Sequence, residues 1–141
     1  MVVITFTVPG NPIAKGRARA FIRGGHVGHY TPEKTANYEN LVKLAAVDGM
    51  KGKQMIVGPA GVVIDLFFQI PASWSKKKKA AALNGEVRPA VKPDCSNVLK
   101  SIEDALNGIV WADDKQAVDV SVKKYYSDKP CAVVSVAQIV S

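Results

Sequence analysis

The chain has few cysteines and histidines and no long apolar run. Its two cysteines, Cys95 and Cys131, lie outside any CxxC motif and have no histidine beside them, so the sequence indicates neither a zinc site nor a disulfide framework. No apolar run approaches the length of a membrane span. The first ten residues lack the basic stretch and the long apolar core of a signal peptide. We therefore expect a cytoplasmic protein with reduced thiols and no membrane partner.

Negative charge is also scarce. The 141 residues include 19 Lys and Arg against 12 Asp and Glu, which gives a formal net charge of +7. Such an excess in a small chain favours a polyanionic partner. Hydrophobic residues make up 48% of the chain and charged residues 22%, and these ordinary globular values argue against disorder. The length suits one domain over 1–141.

Patterns typical of strands and helices are interspersed along the chain. Alternation and β-branched residues predict strands over 2–8, 62–70, 117–125 and 131–140, the last two joined as an antiparallel hairpin. Helices are predicted from Thr31-Pro32 to 49, from Ser73–Ser75 to 83, and over 94–107. We therefore expect an α+β fold, a small mixed β-sheet with helices packed on it. Strand 62–70 is apolar on both faces, so we expect it to be central and covered by helices.

The helix over 94–107 carries one apolar and one polar face. Asp94 or Ser96 can cap its start, and Asn107-Gly108 can end it. The apolar face is formed by residues at helical spacing, namely Val98, Ile102, Ala105 and Ile109. The polar face has a row of side chains at i, i+3, i+7 and i+10, namely Asn97, Lys100, Asp104 and Asn107.

A second acidic group, Asp113-Asp114, lies where the next predicted strand begins. If that strand packs beside the start of the helix, its carboxylates and Asp94 meet around one point, and a cation between them relieves their repulsion. Oxygen ligands favour Mg²⁺ or Mn²⁺ over zinc. A structural interpretation stays open: Asp94 as an N-cap, Asp113-Asp114 as a turn, and Lys100-Asp104 as a surface ion pair.

Two segments are rich in cations. Residues 11–23 combine turn formers with Lys15, Arg17, Arg19 and Arg23, which predicts a loop that grips phosphates. Four consecutive lysines, 76–79, begin the predicted helix after Ser75 and suggest a second phosphate contact. A merely solvated surface explains either segment as well. The glycine-rich stretch 24–30 holds both histidines and predicts an exposed, flexible tip.

The stretch 92–116, KPDCSNVLKSIEDALNGIVWADDKQ, resembles the RusA family of Holliday junction resolvases. The shared pattern is K-P-D-x-x-N-x-x-K-x-x-x-D-A-L-N-G…W-x-D-D-x-Q. It is matched by Lys92, Pro93, Asp94, Asn97, Lys100, Asp104, Ala105, Leu106, Asn107, Gly108, Asp113, Asp114 and Gln116. A P-x-x-P…K-x-R segment after the first strand is similar to residues 9–17.

This resemblance implies an endonuclease that resolves four-way DNA junctions in recombination and repair. It implies a homodimer that binds branched DNA and uses Mg²⁺, with Mn²⁺ as a substitute and no nucleotide cofactor. The expected catalytic residues are Asp94, Asp114 and Lys100. The expected metal ligands are Asp94, Ser96, Asp113 and Asp114, with Asn97 and Asp104 orienting them. The expected DNA contacts are Lys15, Arg17, Arg19, Arg23, Lys76, Lys77 and Lys92.

One position departs from the family pattern. The family has P-D-x-D-N, whereas this chain has Ser96 at the second aspartate. A hydroxyl brings no charge and is a weaker ligand for a hard cation. The alternative function is therefore a weakened or inactive branched-DNA-binding protein of the same fold. A metal-dependent hydrolase acting on nucleotides is a further alternative, although such an enzyme does not need two basic segments.

Overall fold

The computed structural model describes residues 2–16, 19–30 and 32–140, and of Arg19, Phe21 and Tyr30 it describes only the backbone. The strands are β1 (Val3–Pro9), β2 (Arg19–Arg23), β3 (His26–Tyr30), β4 (Ala60–Gln69), β5 (Ala117–Ser127) and β6 (Cys131–Gln138). The helices are α1 (Glu33–Gly49), α2 (Lys76–Leu83) and α3 (Cys95–Leu106), with a short 3-10 helix at Asp114–Gln116.

Four strands form a mixed sheet in the order β1-β6-β4-β5. Strand β6 is antiparallel to both β1 and β4, whereas β4 and β5 are parallel. The predicted α+β fold with a small mixed sheet is confirmed. The predicted hairpin of the last two strands is wrong, because β4 lies between β5 and β6. A local turn signal shows where the chain reverses, but it does not determine which strand becomes the neighbour.

One face of the sheet forms the core with α1 and α3. Alternate side chains of β1, β4 and β6 point into it, and the two helices contribute their apolar faces. Its members include Ile4, Phe6, Val8, Val42, Ala46, Val62, Ile64, Leu66, Val98, Ile102, Ala105, Val134 and Val136. Strand β4 is central, as expected, but it is not covered on both sides, since Val63 is 50% exposed. Its outward Phe67 stacks on Tyr125 of β5 rather than on a helix.

The helix ends follow the sequence signals closely. Ser75 accepts a hydrogen bond from the Lys78 N–H at the start of α2, and Gly85 follows its end with φ +81°. Helix α3 ends at Leu106, with Asn107 as its C-cap, and Gly108 follows with φ +80°. Asp94 occupies the N-cap position of α3, but its side chain makes no capping hydrogen bond. Thr31, the expected cap of α1, lies outside the described residues.

Residues 19–30 form a hairpin where a loop and a flexible tip were predicted. Strands β2 and β3 pair from Arg19 with Tyr30 to Arg23 with His26. The two residues between them, Gly24 and Gly25, have φ +58° and +81°. A two-residue hairpin turn of type I′ needs positive φ at both positions, and glycine adopts it without steric cost. The Gly-Gly pair between β-prone residues was the signal for this hairpin.

Candidate active site

The polar face of α3 meets the start of the 3-10 helix at Lys100. The Lys100 ammonium lies 3.0 Å from Asp104 Oδ1, one turn further along α3. The same ammonium lies 3.5 Å from Asp114 Oδ2. The structure therefore brings together three residues of the predicted site, two of them from α3 and one from the segment before β5.

Asp114 is held in place by its neighbours in sequence. Trp111 is fully buried, and its indole N–H donates to Asn107 Oδ1 at 2.8 Å. Gln116 accepts hydrogen bonds from the backbone N–H groups of Ala112 and Asp113. The Gln116 amide also donates to the carbonyls of Ile56 and Gly58. This turn is therefore anchored on both sides, and it holds the Asp114 carboxylate 3.5 Å from the Lys100 ammonium.

Lys15 reaches the same cluster from the segment after β1. Its ammonium lies 3.3 Å from Asp104 Oδ2 and forms a second ion pair with Glu39 of α1. Lys15, predicted as a DNA contact, is thus engaged by two carboxylates of the protein. Glu39 was missed by the sequence interpretation. The one signal for it is its position beside the buried face of α1, four residues after the buried Thr35.

Buried hydroxyl groups fasten the segment that carries Lys15. Thr35 accepts a hydrogen bond from the Gly16 N–H at 2.9 Å and lies 3.2 Å from the Ala14 carbonyl, to which it donates. Ser101 of α3 donates to the Ile13 carbonyl at 2.8 Å. The backbone N–H of Lys15 donates to the Asn97 carbonyl at 2.9 Å. Residues 13–16 are therefore attached to both α1 and α3, which fixes the backbone of Lys15.

Opposite charges set the protonation states of this cluster. The hydrogen bond with Asp104 raises the pKa of Lys100, and the charges of Asp104 and Asp114 raise it further. Partial burial acts in the opposite direction but is outweighed. Burial lowers the pKa of Lys15, but the hydrogen bonds and charges of Glu39 and Asp104 outweigh it, so that pKa is raised as well. Both lysines are cationic at neutral pH.

The carboxylates respond to the same neighbours. Burial disfavours the charged form of Asp104, but the hydrogen bonds and charges of Lys100 and Lys15 outweigh it and lower the pKa of Asp104. Burial, followed by the charge of Asp114, raises the pKa of Glu103. Asp104 is therefore anionic at neutral pH and bridges the two ammonium groups.

Asp94 lies at an open cleft rather than in this ion-pair cluster. The cleft has a volume of about 470 Å³ and is lined by Pro12, Ile13, Ala14, Lys92, Pro93, Asp94 and Asn97. Asp94, Ser96 and Asn97 are exposed. The carboxylate of Asp94 forms no ion pair among the described residues. It is accessible to a ligand that enters the cleft.

The predicted metal ligands do not form a protein cage. Within residues 2–16, 19–30 and 32–140, no three His, Cys, Asp or Glu side chains are grouped so that they could hold a metal ion. Asp113 Oδ1 instead accepts a hydrogen bond from the Lys115 N–H. The donor set fits at most a Mg²⁺ bound through one or two carboxylates and completed by water and substrate phosphate. Ligation by Asp94, Ser96, Asp113 and Asp114 stays a prediction.

The other predicted DNA contacts are spread over three places. Arg23 is exposed at the end of β2, and Lys76 and Lys77 are exposed in the first turn of α2. Lys92 borders the cleft beside Asp94. Arg17 and the side chain of Arg19 lie outside the described residues. Cys95 and Cys131 are free thiols, and no helix in the described part of the chain is long and apolar enough to cross a bilayer.

Comparison with known protein families identifies the family of this chain. The sequence model of the family Endodeoxyribonuclease RusA matches residues 9–137, from the end of β1 to β6. The chain belongs to the RusA endodeoxyribonuclease family. The match includes α3, the 3-10 helix and the segment that carries Lys15, and the RusA family comprises nucleases of Holliday junctions.

A relative is similar to this chain over nearly its whole length. The chain is 38% identical over 138 residues to "Uncharacterized protein YqaN" of Bacillus subtilis (strain 168), and the alignment covers 96% of each chain. That name states no activity. The alignment does, however, extend over nearly the whole chain.

Proposed function

We propose that this RusA-family protein resolves four-way DNA junctions by hydrolysing one phosphodiester in each of two opposed strands, with a divalent cation as cofactor. The observation that carries the proposal is the convergence of Lys100, Asp104 and Asp114 beside a cleft bordered by Asp94. Cationic and anionic groups for phosphoryl chemistry then lie on one side of the molecule.

Lys100 is the group proposed to contact the scissile phosphate. An ammonium has three N–H donors, of which Asp104 and Asp114 take two. The side chain is 56% exposed, so the third donor can face solvent or a substrate. Because Asp104 is itself held by Lys15, the Lys100 ammonium is oriented before DNA binds. Its positive charge can then stabilise the negative charge that develops on the phosphate oxygens during cleavage.

Asp94 and Asp114 are the proposed cation ligands. A Mg²⁺ bound with substrate phosphate would neutralise phosphate oxygens and lower the pKa of the attacking water. Asp94 is free to bind, since it neither caps α3 nor forms an ion pair among the described residues. Asp114 shares its charge with Lys100 at 3.5 Å, a separation long enough to leave acceptor capacity on the carboxylate.

A symmetric dimer follows from the substrate. A four-way junction presents two equivalent strands that must both be cut, and each chain has one set of these residues. Two copies related by a two-fold axis would present two sites to the two strands. We propose this homodimer as the active form in recombination and repair.

The direct test is cleavage of a synthetic four-way junction with each strand labelled in turn. We expect paired nicks at symmetric positions in two opposed strands, dependent on Mg²⁺ or Mn²⁺, and no comparable cleavage of linear duplex of the same sequence. Equal cleavage of duplex and junction would contradict junction selectivity. Tight junction binding without cleavage at any cation concentration would instead favour the alternative, a branched-DNA-binding protein whose site is weakened at Ser96.

Ser96 determines how much cation the site needs. It is exposed in the first turn of α3, where an aspartate is compatible with the helix dipole. We expect Ser96→Asp to increase cleavage at limiting Mg²⁺ and to lower the Mg²⁺ concentration for half-maximal rate, because a carboxylate adds a charged oxygen ligand. In the unaltered protein, Mn²⁺ should support a higher rate than Mg²⁺.

The rate is measured against Mg²⁺ concentration, with Ser96→Asn as the matched control because asparagine has the size of aspartate without its charge. If Ser96→Asn shifts the curve as far as Ser96→Asp does, charge is not the cause. If neither substitution moves the curve, Ser96 is not near the cation.

Glu39 is expected to matter for cleavage without contacting DNA. Glu39→Gln weakens the hold on Lys15, which then orients Asp104 and Lys100 less well. We expect cleavage to fall by about tenfold, a change in barrier of about 1.4 kcal/mol, while the Kd for the junction changes little. The test compares single-turnover rates and Kd for Glu39→Gln and for Asp48→Asn, a carboxylate on the same helix whose ion pair with Lys51 is exposed.

Lys15→Met and the double variant Lys15→Met/Glu39→Gln should cleave at the same rate, because the ion pair between Lys15 and Glu39 is absent from both. An undiminished effect of Glu39→Gln in the Lys15→Met background would show that Glu39 acts by another route.

A further inference from the structure

Three cations outside the ion-pair cluster each lie over an aromatic ring. One cation is on α2, one on β5 and one in the segment between α2 and α3. Lys78 Nζ is 3.9 Å from the centre of the Trp74 ring. Arg88 Cζ is 4.3 Å from the centre of the Tyr125 ring, and Lys124 Nζ is 5.6 Å from that of Phe68. We call the surface formed by Lys76, Lys77, Lys78, Arg88, Lys92 and Lys124 the α2–β5 track.

Contacts within the protein restrain three side chains of the track, Lys78, Arg88 and Lys124. Arg88 Nε donates to the Lys124 carbonyl at 2.9 Å, and Lys124 Nζ donates to the Val91 carbonyl at 2.6 Å. The supporting rings are packed in turn, Tyr125 against Phe67 and Trp74 against Tyr126. Cations held by rings and carbonyls lose less conformational freedom when they bind an anion.

The charge of the track is not neutralised by the protein. From Trp74 to Lys92 the sequence has six cationic side chains and one carboxylate, Glu86. Among the described residues, no side chain of the track forms an ion pair, whereas Lys15 and Lys100 are each engaged by two carboxylates. A run of uncompensated cations attracts a polyanion.

The track ends at the cleft of the candidate site. The segment that carries Arg88 continues through Val91, which Lys124 holds, to Lys92 and Asp94 at the cleft. An extended polyanion that lies along α2 and β5 is therefore led to Asp94.

We propose that the α2–β5 track binds the phosphate backbone of a duplex DNA arm that leads away from the cleaved phosphodiester. This inference rests on the proposed function, because Asp94 marks where the arm begins. Duplex is favoured over single-stranded DNA, since single-strand sites offer aromatic faces to the bases. Here the faces of Trp74 and Tyr125 are covered by Lys78, Arg88 and Phe67.

Arm length is the variable that tests the track. Binding is measured by salt titration on junctions with arms of about two helical turns and on junctions with arms of about half a turn, for the unaltered protein and for Lys78→Gln/Arg88→Gln. On long arms, we expect the slope of log K against log salt to become shallower by about 0.9 for each lost phosphate contact. On short arms, which offer fewer phosphates to the track, the difference between the slopes of the two proteins should be smaller.

Two further variants keep the result interpretable. Lys34→Gln/Lys43→Gln on α1 removes the same charge from exposed positions outside the track, and its slopes should match those of the unaltered protein on both substrates. Lys76→Gln/Lys77→Gln alters exposed residues that contact no aromatic ring among the described side chains. It should therefore reproduce the long-arm effect even if Lys78→Gln/Arg88→Gln folds poorly.

Equal weakening on long and short arms, or no change on either, would overturn the proposal. So would a larger effect on single-stranded DNA than on duplex. The proposed function is judged separately: if the unaltered protein does not distinguish junctions from linear duplex, junction resolution fails, and the track is still tested by comparing long with short linear duplexes.

Discussion

Lys100→Met is expected to abolish most junction cleavage while leaving junction binding almost intact. Loss of one preorganised donor to a developing oxyanion typically reduces rate by about 10²–10³-fold, and Lys100 is the donor that α3 and Asp114 hold in place at 3.0 and 3.5 Å. Methionine retains the aliphatic stem, so packing along α3 should change little. The measurement is the single-turnover cleavage rate at saturating cation, together with the Kd for the junction.

The matched control is Lys43→Met, which removes the same charge from an exposed position on α1. It should cleave at the rate of the unaltered protein. A Lys100→Met protein that loses binding in proportion to cleavage would show that Lys100 is merely one of several phosphate contacts. Lys100→Arg separates charge from geometry, because guanidinium retains the charge but cannot occupy the same point between Asp104 and Asp114.

Helix α3 and its ends could be predicted from the sequence because their signals are local. The apolar residues recur at helical spacing, and Gly108 supplies the positive φ at the end. The same spacing places Lys100 and Asp104 one turn apart, as the structure has them. The approach of Asp114 to Lys100 could not be predicted locally. It depends on the tertiary contacts of Trp111 and Gln116 with residues near Ile56.

Strand order and the outer contacts of the site could not be read in this way. The backbone of β4 pairs on both sides, with β5 and β6, and no local pattern distinguishes that arrangement from a β5–β6 hairpin. Glu39 and Lys15 are 24 residues apart, and their ion pair exists because α1 and α3 pack side by side. Charged residues on a helix are usually solvated, so Glu39 carried no sequence signal strong enough to single it out.

The open face of the sheet has a related explanation. The apolar run of β4 suggested cover on both sides, since strands buried on both faces are continuously apolar. In the structure, the outward residues of β4 pack along the sheet instead, as Phe67 does on Tyr125. Cross-strand aromatic pairs stabilise a sheet without a covering helix, so an apolar strand is weak grounds for predicting a second layer.

Asp94→Asn and Asp114→Asn should each reduce cleavage by at least about 10²-fold, because each removes an anionic oxygen proposed to bind the cation. Junction binding should be unchanged or tighter, since each change also removes a repulsion between carboxylate and phosphate. Full cleavage by either variant at saturating Mg²⁺ would exclude that residue as a ligand.

The two variants should differ in their effect on the pKa of Lys100. Asp94 forms no ion pair among the described residues, whereas Asp114 lies 3.5 Å from the Lys100 ammonium. Asp114→Asn therefore removes one of the charges that raise the pKa of Lys100, and the pKa of Lys100 should fall toward its ordinary value. Asp94→Asn should leave it unchanged. NMR of the lysine ammonium groups without DNA or added cation measures this directly, and equal shifts in the two variants would contradict the separation of Asp94 from the ion-pair cluster.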